Sequence, residues 1–305
     1  MRRTHGARGI AMKISQCIAE RGRPFYSLEF FPPKDADALD AFYRTTQQLM
    51  RIQPLFASVT YGAGGSNQSG SLELVAELKR RFAVESMAHL TCIGAGRDSL
   101  TNYLTRLREV GVDNILALRG DLPQLPGEKH AETPDEFRHA SDLVRFVRRT
   151  FPDMGIAVAG YPTPHPESPS FASDWSYTVA KIRDGADWVV TQMFFDVREY
   201  EAFVDRLRDM GVSVPVIPGV LPIQSFASLR RTLSLCGASI PGKLYLDMEA
   251  AHEQGGVPAV REAGIAFAVR QIRMLLDQGA PGIHLYTLNQ ADTCLRIVEE
   301  VGALH

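Results

Sequence analysis

Short apolar runs recur along this chain, each bounded by Gly, Pro, Asn or Asp. They read "YSLEFFP" (26–32), "FASVTYG" (56–62), "SMAHLTC" (86–92) and "NILALRG" (114–120), then "GIAVAGYP" (155–162), "WVVTQMFF" (188–195), "PVIPGVLP" (215–222) and "GIHLYTLN" (282–289). Several are apolar almost throughout, which is the pattern of parallel strands covered on both faces. Between them the period changes to that of helices. Leu72, Val75, Leu78 and Phe82 step by three or four, as do Leu100, Leu104, Leu107 and Val110. Tyr200, Phe203, Leu207 and Met210 form a third stripe, and Ile265, Val269, Ile272 and Leu276 a fourth. Each set gives a helix one apolar face to lay on a sheet. Gly111, Gly185, Gly211 and Gly279 follow helical stretches, where a left-handed cap is wanted. The longest connection, 223–281, predicts more than one helix.

Strand, helix and glycine stop repeated around eight units predict an α/β fold, a (β/α)8 TIM barrel. Residues 25–305 are expected to form this single barrel, with 1–24 as an N-terminal extension and first helix. The run "MRRTHGARG" has no apolar stretch behind it and reads as an alternative start, with Met12 the next initiator. A doubly wound sheet would advertise a Gly-rich first turn. The nearest segment, "YGAGGSNQSG", does not fit G-x-G-x-x-G.

Composition narrows the partners. The chain has 305 residues, near the usual size of such a barrel, with 45% apolar and 22% charged residues. A formal charge of -2 leaves no electrostatic footprint for nucleic acid. No run of 18 apolar residues is present to span a membrane. Cys17, Cys92, Cys236 and Cys294 are scattered without CxxC spacing. Together with the lack of an export signal, they predict reduced thiols and a cytoplasmic location. Histidines and carboxylates show no metal-ligand spacing, so no metal is expected.

In such barrels chemistry sits at the carboxyl ends of the strands, and polar residues fall there repeatedly. Glu29 lies in "SLEFFPP", Thr60 near the second strand end, His89 and Thr91 on the third, and Arg119 and Asp121 at the fourth. Tyr161 and His165 follow the fifth, Gln192 sits on the sixth, Gln224 follows the seventh, and Tyr286 and Asn289 end the eighth. Glu29 alternates with Leu28 and Phe30. An inward carboxylate in aromatic surroundings is expected to have a raised pKa, suited to a general acid. The other reading is a carboxylate paired with a buried Arg or Lys. Gln192 can recognise the donor–acceptor edge of a heterocycle, or be satisfied by backbone in the core. His89 reads as a binding residue or a hydrogen-bonded core histidine. "GYPTPHPESP" (160–169) must be a stiff, non-helical loop. Arg119-Gly120-Asp121 alone suggests an adhesion tripeptide, but the apolar run before it and the missing export signal point instead to charges carried into a cleft.

The segments "SLEFFPPK", "SVTYGAGG", "HLTC", "LALRGDLP", "HASDLV", "VAGYPTPHPES", "VTQMFFD", "PGVLPIQSF" and "HLYTLN", in this order and covering almost the whole chain, resemble the methylenetetrahydrofolate reductase family. The resemblance implies a (β/α)8 barrel binding FAD without a Rossmann motif. It implies ping-pong reduction of 5,10-methylenetetrahydrofolate to 5-methyltetrahydrofolate in one-carbon metabolism, towards methionine biosynthesis, with NADH or NADPH donating hydride through flavin N5. Thr60, His89, Arg119, Gly120, Asp121, Ala140, Ser141, Tyr161, His165, Asp174 and Lys181 match the family's flavin-contacting positions. Glu29 matches its general acid, which assists ring opening, and Asp121 a carboxylate near flavin and pterin that tunes the flavin. Gln192, Gln224, Phe226 and Tyr286 match positions holding the pterin or nicotinamide, where Phe226 offers a stacking face. Three positions depart from the pattern: His139 where the residue before "ASDL" is often aromatic, Gln290 where many members carry Arg, and Tyr177 where some have a polar flavin contact. Larger members add a C-terminal domain that binds S-adenosylmethionine. None is expected here, nor is feedback inhibition by that ligand. A homo-oligomer is expected. The competing enzyme reading is another flavin-dependent barrel oxidoreductase, proline dehydrogenase-like or acting on another one-carbon substrate.

Overall fold

The fold was analysed in a computed structural model, which describes residues 13–33, 35, 37–60, 68–120, 136–302 and 304. Its strands are β1 (Tyr26–Phe30), β2 (Phe56–Val59), β3 (Glu85–Thr91), β4 (Asn114–Leu118), β5 (Gly155–Gly160), β6 (Trp188–Thr191), β7 (Val216–Ile217), β8 (Gly219–Val220) and β9 (Ile283–Tyr286). All pair in parallel, in the order β7-β6-β5-β4-β3-β2-β1-β9-β8. Eight runs are expected and nine strands are found among the described residues, because "PVIPGVLP" is split. Pro218 has no N–H to donate, so the run cannot form a continuous ladder. Val216 and Ile217 pair with β6, whereas Gly219 and Val220 pair with β9. The Pro218 carbonyl still accepts from His284 N at 2.9 Å. The same short run thus touches both ends of the sheet and closes the barrel.

The helices are α1 (Ile14–Arg21), α2 (Leu39–Leu49), α3 (Gln68–Phe82), α4 (Arg97–Glu109), α5 (Ala140–Thr150), α6 (Phe171–Arg183), α7 (Val197–Asp209), α8 (Phe226–Cys236), α9 (Gly242–Asp277) and α10 (Ala291–Val301). The apolar stripes read from the sequence fall on α3, α4, α7 and α9. Gly111, Gly185, Gly211 and Gly279 all take positive φ at helix ends. The connection 223–281 holds α8 and α9, and α9 is broken into two pieces at Gly255 and Gly256. Among the described residues no helix is long and apolar enough to cross a membrane. All four cysteines are free thiols.

Strand alternation divides the core. Leu28, Phe30, Val59, Leu90, Ile115 and Val158 face outward onto the helices. Phe25, Phe56, Met87, Leu116, Trp188 and Ile217 fill the lower barrel interior. Helix α1 seals this lower end. Ile14 is fully buried against that cluster, and its N–H donates to Asn114 Oδ1 at 2.9 Å. Above the apolar layer the interior turns polar: Ser27, Ser58, His89 and His284 are all buried. The chemistry therefore begins halfway up the barrel.

Candidate active site

The sequence-predicted residues described by the structure fall largely into two groups. The first lines a cavity of about 380 Å³ between the ends of β4 and β5 and helices α5 and α6. Arg119, Ala140, Ser141, Tyr161, His165, Asp174 and Lys181 all line it, as do the divergent His139 and Tyr177. The N-terminus of α5 opens onto the cavity through Ala140 and Ser141, an arrangement that favours negative charge. Arg119 reaches across the rim to Glu167 of the Pro-rich loop, with two bonds at 2.6 and 3.1 Å. Asp174 is buried and accepts from His165 N at 2.5 Å, which fixes that loop. Burial pushes the Asp174 carboxyl up, against the pull of the His165 N–H and Lys181. Burial also pushes the Lys181 ammonium down to about 8, with Asp174 opposing. Lys181 Nζ donates to Ala159 O and lies 5.8 Å from the centre of the Tyr161 ring.

Thr60 follows β2, its N–H bonded to the Phe30 carbonyl at 3.0 Å, and Gly120 follows Arg119 at the end of β4. Gly120 has φ +89°, and a Cβ there would lie 2.9 Å from Ile93 Cγ2 and from Thr91 Cβ. Glycine is required at this point. Asp121 lies outside the described residues. Arg119 is part of a cavity wall and paired with Glu167, which is not how a displayed adhesion tripeptide is built.

The second group occupies the barrel centre. Glu29 is buried, and its Oε2 lies between two imidazoles: His89 Nε2 from β3 at 3.3 Å and His284 Nε2 from β9 at 3.4 Å. This corrects the expectation from the flanking aromatics. Leu28 and Phe30 point to the helices, and Phe31 is 39% exposed. Burial pushes the Glu29 carboxyl up, but the two imidazoles outweigh it and hold it at about 2. The partner is neither Arg nor Lys. The Glu29 carbonyl is fixed by Thr287 Oγ1 at 2.6 Å. Tyr286, two residues along β9 from His284, donates its hydroxyl to Thr191 O at 2.7 Å. Burial and the neighbouring Glu29 charge push its phenol far up.

Gln192 is partly buried at the end of β6, and its Oε1 accepts from Met193 N at 2.9 Å. Gln224 Oε1 accepts from Thr293 Oγ1 at 3.2 Å, while its Nε2 is buried without a hydrogen-bond partner. Phe226 is placed differently. It packs in a separate apolar cluster, stacked on His252 at 5.7 Å and tilted against Tyr245 at 5.2 Å. Its ring ties α8 to α9.

A family model for methylenetetrahydrofolate reductase matches residues 13–302. The chain belongs to the methylenetetrahydrofolate reductase family. It is 34% identical over 297 residues to Methylenetetrahydrofolate reductase (NADH) 1 of Arabidopsis thaliana, covering 94% of this chain and 50% of that protein. With 5,10-methylenetetrahydrofolate reductase of Pectobacterium carotovorum it shares 34% identity, covering 95% of this chain and 94% of the relative. The chain thus spans about half the length of the plant relative. A solved structure of an uncharacterized protein from Clostridium thermocellum, which binds two copies of 5-methyl-5,6,7,8-tetrahydrofolic acid, shares the fold, with TM-score 0.60 and 14% identity over 94% of this chain and 98% of that one.

Within this reductase-family barrel, sequence reasoning missed Ser27 and His284. The available signal was alternation: Ser27 shares the face of Glu29, and His284 the face of Tyr286. Their meeting is a matter of register, since β1 pairs Ser27 with His284 and Glu29 with Tyr286.

Proposed function

We propose that the chain reduces 5,10-methylenetetrahydrofolate to 5-methyltetrahydrofolate, using FAD and a reduced nicotinamide dinucleotide in ping-pong order. The observation that carries this reading is the juxtaposition, on one barrel rim, of the Arg119–Asp174–Lys181 cavity and the buried Glu29–imidazole cluster, in a chain of this family. The cavity suits part of a dinucleotide cofactor. Arg119, Lys181 and the α5 N-terminus would meet the phosphates, Asp174 would accept from hydroxyls, and Tyr161 and Tyr177 offer aromatic faces. Glycine at residue 120 lets the chain turn at this strand end, packed against the Thr91 and Ile93 side chains that a Cβ would strike. When bound, FAD supplies a hydride relay between the nicotinamide and the folate.

The chain's own contribution to the folate step is a proton. Reduction requires the methylene carbon to part from one of its two nitrogens, and that nitrogen leaves readily only when protonated. Glu29, at the barrel centre, is the group we assign to pass this proton on, drawing it from an adjoining imidazole because its own carboxyl is held at about 2. Gln192, Gln224 and Tyr286 are proposed to hold the pterin or nicotinamide. Phe226 joins them only if α8 repacks. Relatives carry both NADH and NADPH in their names, so either donor fits the family.

Anaerobic mixing tests the proposal. Each nicotinamide should bleach the flavin of the loaded protein, and methylenetetrahydrofolate should restore its colour. A protein that fails to bind FAD, or whose reduced flavin ignores the folate, overturns the reading. Glu29→Gln should lose at least about 100-fold more in folate reduction than in nicotinamide oxidation with a quinone acceptor, the scale expected of general acid catalysis.

A further inference from the structure

We propose that His284 is a positioning residue that keeps one mobile proton at Glu29, with Ser27 fixing the tautomer that makes this possible. The inference rests on the reading of Glu29 as the proton donor. It starts from Ser27, whose hydroxyl has two polar neighbours: the Ile283 carbonyl at 3.5 Å and His284 Nδ1 at 2.8 Å. We assign the hydroxyl proton to the carbonyl, which can only accept, so that the oxygen accepts from Nδ1–H; the reverse direction would leave Nδ1 bare. With Nδ1 protonated, the other nitrogen of a neutral imidazole is a bare acceptor. That nitrogen, Nε2, is hydrogen-bonded to Glu29 Oε2 at 3.4 Å.

Two states then share one geometry. In one, Glu29 is a neutral acid donating to Nε2. In the other, an imidazolium Nε2–H donates to the carboxylate. The proton moves between Oε2 and Nε2 without either side chain changing place. The ring cannot turn away, because Phe56 stacks on it at 5.9 Å with planes 20° apart, and Tyr286 meets it edge-on at 5.5 Å. His284 is fully buried, so it can exchange protons with a ligand only through its neighbours. His89 stands at similar distance from Glu29, but its Nε2 lacks hydrogen-bond geometry.

The groups facing this pair can be named strand by strand. β1 supplies Glu29 and Ser27, β2 supplies Phe56 and Ser58, β3 supplies His89, and β9 supplies Tyr286. Of these, His89 alone is a further candidate for a positive charge. During folate reduction the Glu29 proton passes to the departing nitrogen. The imidazolium proton at Nε2 then reloads Glu29, leaving His284 neutral with its Nδ1–H still on Ser27. A proton from solvent restores the pair before the next turnover.

The test is 15N-histidine NMR of the flavin-loaded enzyme and of the same chain stripped of flavin, with His284 assigned by its shift in Ser27→Ala. We expect Nδ1 of His284 to carry a proton in the wild-type protein, and Glu29→Gln to shift the 15N resonance of its Nε2. A bare Nδ1 in the wild-type protein, or an Nε2 resonance unmoved by Glu29→Gln, overturns the proposal. In turnover, His284→Gln should move the pH profile of folate reduction and lower kcat more than it raises KM. If that variant does not fold, Ser27→Ala should move the same profile in the same direction, and an unmoved profile overturns the role. If Glu29→Gln reduces folate at the wild-type rate, the general-acid reading falls, and the role of the pair in catalysis with it, whatever the NMR coupling shows.

Discussion

Two buried charges give this chain its pH behaviour. Glu29 is held at about 2 against an ordinary 4.5, so its contribution to stability is complete above pH 4.5 and lost as pH falls through 2. The amount is on the order of 3 kcal/mol, and urea titrations over that range should show a loss that Glu29→Gln removes. Lys181 has the opposite sign of effect. Its folded value of about 8 lies below the ordinary 10.5, so the unfolded chain binds the extra proton between them and stability should rise with pH across that window. Lys181→Met is therefore expected to raise the Tm of the flavin-free protein at pH 7 while weakening FAD retention in equilibrium dialysis. A substitution that loosens both would show that the ammonium serves the fold. Glu29 also marks where the sequence was legible and where it was not. Its inward direction follows from alternation with Leu28 and Phe30. Its surroundings do not, because the neighbours that matter, His89 and His284, lie 60 and 255 residues away in the chain.

At the scale of elements, the sequence was read well wherever one local rule dominates. The apolar runs became strands and the three-four stripes became helices, since both patterns are set by which face must be buried. "PVIPGVLP" was read as a strand correctly, but its division at Pro218 depends on which partner each half meets. Phe226 shows the same limit. Its aromatic ring was legible, but its burial against Tyr245 and His252 belongs to the packing of α8 on α9. Gly219 is where an element can be tested directly. A Cβ there would stand 2.4 Å from Thr191 O and 2.6 Å from the Tyr286 ring. Gly219→Ala is expected to cost about 1–3 kcal/mol in urea unfolding, the usual range for overpacking. A neutral result would mean that β8 can shift away from β6.

For the whole molecule, the barrel stands on a sealed floor. Ile14 and Asn114 join α1 to β4, and a Cβ on Gly155 would fall 2.2 Å from Asn114 Oδ1, so the contact is closed on both sides. Asn114→Ala strips the buried Ile14 N–H of its acceptor and should destabilise the chain by about 1–3 kcal/mol, measured by thermal or urea unfolding. The site lies above that floor, and its two groups sit on different arcs of the ring: β4 and β5 hold the cavity, β1 and β9 the acid. The arcs are bridged on one side by the two-residue strands around Pro218. There the Tyr286 hydroxyl reaches over Gly219 to the Thr191 carbonyl, a staple from β9 to β6 that bypasses the strands between them. A ring with one thin link opens at that link. Hydrogen exchange at the amides of Val216, Ile217, Gly219 and Val220 should outpace the rest of the barrel and quicken roughly fivefold in Tyr286→Phe, as the loss of a bond worth about 1 kcal/mol implies. The residue proposed to hold the pterin or nicotinamide would then also be the clasp that sets how wide the mouth can breathe.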